Sequence, residues 1–102
     1  FDVTNETLVI ENINKIEQEI GAIDILVNNA GLVIPTTVDA DNFAEAWDMS
    51  LAVMAVAQAW AIRAALPSLR QSLHPRIVNN YQCPILHLHW TFYCLHAYFS
   101  RL

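Results

Sequence analysis

The groups best suited to ligand chemistry are two carboxamides at the end of an apolar run, Ile25-Leu26-Val27-Asn28-Asn29-Ala30-Gly31. A carboxamide offers donors and an acceptor without a charge. In open α/β sheets the carboxyl ends of the strands are where ligands bind. Ala30 and then Gly31 keep side-chain bulk away from whatever approaches that end. Taken alone, the same residues also fit a plain turn after a buried strand. A second cluster of reactive types, Cys83, His87, His89, Cys94 and His96, has the elements of a metal site. It contains no Cys-x-x-Cys and no His pair at zinc spacing, so no metal is expected. The two cysteines read as free thiols of a cytoplasmic protein rather than as a disulfide.

The strand that carries Asn28 needs supports, and the flanking sequence supplies them. A continuous Ile/Leu/Val run is the pattern of a parallel strand buried on both faces. Upstream, Val9, Ile13, Ile16 and Ile20 recur at helical spacing, which predicts a helix with those four on its apolar face. Thr4 or Asn5 can cap its start, and Gly21 suits the left-handed position beyond its end. Residues 31–39 carry Pro35 and no helical period, so they read as a loop. Asp39 or Asp41 can cap a second helix with Phe43, Trp47, Leu51, Met54 and Gln58 on one stripe. Trp47 is expected to pack in the core, whereas Trp60 suits either core or interface. The alanine-rich stretch from Trp47 to Leu66 favours a long helix reaching Pro67. After a polar turn, residues 76–79 read as another strand. Strand end, helix, strand, helix, strand is the alternation of a parallel α/β sheet, and it places residues 25–28 beside 76–79.

Composition bounds the rest. The chain has 102 residues, 55% of them hydrophobic, and a formal net charge of −5. A protein of this length holds one small domain at most. One lysine and four scattered arginines give no basic patch, so nucleic acid is not an expected partner. All ten acidic residues lie between Asp2 and Asp48, while six of the ten aromatics fall at or beyond residue 80. That break divides the chain into a segment 1–79 and a divergent aromatic, histidine- and cysteine-containing tail 80–102. The apolar run 84–99 is too short for a membrane span and is broken by three histidines, so no membrane association is expected.

Several segments in order resemble the short-chain dehydrogenase/reductase family: Asp2-Val3-Thr4, Gly21-x-x-Asp24-x-Leu26-Val27-Asn28-Asn29-Ala30-Gly31, Trp47 ahead of a helix ending Ala64-Ala65-Leu66-Pro67, and Pro75-Arg76-Ile77-Val78-Asn79. The resemblance covers residues 1–79. It implies part of a Rossmann-like, doubly wound parallel sheet whose first βαβ half is missing, and so an interior fragment. It implies an oxidoreductase using NAD or NADP on a small-molecule alcohol or carbonyl. By the same resemblance Asp2 and Val3 would line the adenine pocket, Asn28 would steady the sheet, and Ala30 and Gly31 would approach the cofactor. The family's catalytic asparagine, serine, tyrosine and lysine fall on Met54, Gln82, Leu95 and Phe99, which cannot move the substrate proton. No Tyr-x-x-x-Lys occurs anywhere in the chain. The expectation is therefore a chain inactive by itself and, with an unpaired strand edge, prone to instability. The alternative is a catalytically dead interaction protein that forms a homo-oligomer, or pairs with a relative, through helix 47–66.

Overall fold

The computed structural model describes residues 1–80. The chain runs α1 (Glu6–Glu19), β1 (Ile25–Asn28), α2 (Phe43–Leu51), a π-helical turn (Ala52–Val56), α3 (Ala57–Gln71) and β2 (Arg76–Asn79). β1 and β2 form a two-stranded parallel sheet in the register Ile25 to Arg76 through Asn28 to Asn79. Both strands fall where the sequence puts them. The tail beyond Asn80 lies outside the described residues, and with it the metal reading of its cysteines and histidines.

The α1 helix starts at Asn5, whose side-chain oxygen accepts a hydrogen bond from the Leu8 N–H at 3.2 Å. This satisfies one of the donors that every helix start leaves open. At the other end the Ile20 and Gly21 N–H groups both donate to the Ile16 carbonyl, and Gly21 takes φ +128°. A Cβ built there meets nothing within 4 Å, so Gly21→Ala should cost backbone strain alone, about 1–2 kcal/mol. Urea unfolding checks this, and Gly21→Asn should lose as much as Gly21→Ala, since φ +128° lies beyond the left-handed α region that asparagine tolerates.

The apolar stripe of α1 is only half used. Val9 and Ile13 are buried, whereas Ile16 and Ile20 are 41% and 83% exposed. The reason is the reach of α3, which packs against the first half of the stripe. Val9, Ile13, Ala65 and Leu69 form the core, with Leu26 and Ile77 of the sheet and Trp60 packed around it. Small residues at Ala61, Ala64 and Ala65 let the two helices approach closely. Arg63 and Glu6 also face each other across the pair at 3.9 Å, an exposed contact worth little.

Leu26 and Ile77 face the helices. Strand alternation then turns Ile25 and Val27 to the opposite face, where they are 60% and 58% exposed. The Asp24 main-chain carbonyl accepts the Arg76 N–H at 2.9 Å, and its carboxylate accepts the Ser72 hydroxyl, so the starts of both strands are tied together.

The middle of the chain departs from the sequence reading in four ways. α2 starts after Asn42, not after Asp39 or Asp41, and has no side-chain cap. Asp39 instead accepts the Thr37 hydroxyl at 2.7 Å, which pulls its pKa down. The helical run does not end at Pro67 but continues to Gln71. Pro67 sits on the solvent side, where the carbonyl it leaves unbonded can face water, while burial of Ser68 and Leu69 draws the last turn on. The Ala57 N–H on the Ala52 carbonyl closes a π-turn, and the buried face of the helical run is Ala46, Val53, Ala57 and Gln58, beside the expected stripe rather than on it. Trp47, next to the buried Ala46, is 43% exposed and stacks on Phe43 at 5.9 Å, rather than filling the core. From Phe43 to Gln71 the helical stretch of 29 residues is long and apolar enough, by length and composition, to cross a membrane. Within it Ala61, Ala64 and Ala65 pack against α1 and the sheet.

Candidate functional site

Asn28 ends β1 and is 9% exposed. Its Nδ2 donates to Oδ1 of Asn79 at 2.8 Å. One residue on, Asn80 Nδ2 donates to Asn29 Oδ1 at 2.8 Å, and the Asn80 N–H donates to the Asn28 carbonyl at 2.9 Å. Two amide pairs thus clip together the carboxyl ends of the strands without burying a charge. The sequence reading singled out Asn28 but missed its partners. The signal was present: Val27-Asn28-Asn29 recurs as Val78-Asn79-Asn80, and parallel pairing in register sets each residue against its repeat.

Beside β1 lies an open cavity of about 150 Å³. Val3, Asn28 and Ala30 line it, with Asn29, Val53 and Gln58 around them. Three of the five residues expected at a cofactor therefore converge on one groove. Asp2 and Gly31 do not line it.

Asp2 is engaged elsewhere. The Thr4 N–H and the Thr4 hydroxyl both donate to its carboxylate at 2.8 Å, at the approach to α1. These two bonds hold the Asp2 carboxyl below the usual carboxylate range. A carboxyl with a lowered folded-state pKa stabilises the fold above its ordinary pKa, and the benefit is lost as pH falls through the lowered value. The turn at Asp2 should therefore hold at neutral pH and release only in acid. An NMR titration should find the Asp2 carboxyl below ordinary carboxylates, and Thr4→Ala should move it only part of the way back, since the larger contribution, the Thr4 N–H bond, remains.

Met54, the position that the resemblance gives to a catalytic asparagine, is half-buried in the π-turn. Such irregular turns within α-helices often occur at functional sites. A thioether neither donates a proton nor holds a water firmly. Gln82, Leu95 and Phe99 lie outside the described residues. Among the described residues no group of three or more His, Cys, Asp or Glu side chains could hold a metal ion.

Comparison with known proteins decides the ancestry. The family model for short chain dehydrogenase matches residues 1–80. The chain belongs to the short-chain dehydrogenase family. Among curated relatives, an uncharacterized oxidoreductase of Staphylococcus saprophyticus is 35% identical over 78 residues, covering 76% of this chain and 33% of the relative. The ligand-free aldohexose dehydrogenase of Thermoplasma acidophilum superposes with a TM-score of 0.68 at 33% identity, over 74% of this chain and 29% of that one. A variant of ElxO with NADPH bound superposes with a TM-score of 0.67 at 27% identity, over 76% of this chain and 31% of that one. The short-chain dehydrogenase segment described here thus spans about a third of the length of the relatives it matches. Its helices and parallel strand pair are a portion of their Rossmann-type fold.

Proposed function

We propose that this chain supplies one wall of the cofactor site in an NAD(P)-dependent alcohol or carbonyl oxidoreductase, and that it transfers no hydride by itself. The convergence of Val3, Asn28 and Ala30 on the groove beside β1 carries this reading. The residues present do not fit a whole dinucleotide. The cavity of about 150 Å³ is below the ~300–1,000 Å³ of ordinary small-molecule sites, and none of its lining residues is a lysine or arginine that could pair with a pyrophosphate. What it offers is an apolar surface and amide groups, suited to one ring of such a molecule.

Titration with NADH and with NADPH, followed by nicotinamide fluorescence, tests this. No saturation is expected up to millimolar concentration. Saturation at micromolar cofactor would overturn the reading of an incomplete site.

One observation favours a second role. Trp47, Leu51 and Val56 are each more than 40% exposed, and the π-turn brings the fifth residue after Leu51 back into line with it. The result is an open apolar stripe on the long helix, the surface by which the chain would pair with a second copy or a relative. Leu51→Lys should abolish such association in sedimentation equilibrium. A wild-type chain that is monomeric at every concentration removes this reading.

A further inference from the structure

We draw no further inference here: the strongest candidate, the groove between β1 and the long helix lined in part by Gln58, whose buried amide has no partner among the described residues, lies at the edge of β1 that the family's own first strand takes in the doubly wound sheet, so it carries no ligand or partner of its own.

Discussion

Ile13→Ala should destabilise the fold by about 2–5 kcal/mol, the range for removing a buried isoleucine and leaving a cavity. Ile13 is 4% exposed and sits among Val9, Ala65 and Leu69. Among the described residues only four buried apolar residues are larger than alanine, Val9, Ile13, Val53 and Leu69, so little remains to close the gap. Small domains have about 5–15 kcal/mol of stability in total. A two-stranded sheet with one bare face starts near the low end of that range, so this substitution should leave the chain largely unfolded at room temperature. Circular dichroism in a urea series measures it. Ile20→Ala is the control: at 83% exposure the same residue type should change stability by less than about 0.5 kcal/mol. Equal losses at the two positions would mean that α1 buries a different face.

Asn28→Ala should cost about 1–3 kcal/mol, because it leaves the Asn79 acceptor without its donor at a part-buried site. Asn79→Ala should cost a similar amount. The two losses should not add, and the double variant should fall short of their sum by about 0.5–3 kcal/mol, the coupling of directly bonded groups. Asn80→Ala, which removes the exposed outer amide pair, should cost less than either. Additive losses at Asn28 and Asn79 would show that the bridge contributes nothing to strand pairing.

The parts of this fold that were legible in the sequence are those decided locally. Ile25 to Asn28 and Arg76 to Asn79 read as strands because short β-branched and leucine runs stand between turn residues. Asn5 and Gly21 punctuate α1 because capping and positive φ each select residue types. What escaped is what packing decides. Nothing local marks the π-turn at 52–56, nor that α2 buries Ala46 and leaves Trp47 exposed. Pro67 looked like a stop, but it faces water while Ser68 and Leu69 behind it are buried. The same limit applies to the site. The Asn28 amide was visible as a candidate, and so were Val3 and Ala30, whereas the isolation of the Gln58 amide becomes apparent only once the helix and β1 are set side by side.

The ties at the two ends of the strand pair bear on the order in which the molecule assembles. Asp24 joins the strand starts, and the asparagine pairs join their ends. The asparagine bridge links residues 51 positions apart, and closing a loop of that length carries an entropic cost of about 3–4 kcal/mol before any strand contact repays it. α1, whose bonds are all local, has no such toll. The helices should therefore form in the first milliseconds or sooner, with the sheet waiting on the long helix to bring its ends together. The carboxyl edge that carries the candidate site is then the last part of this chain to take shape.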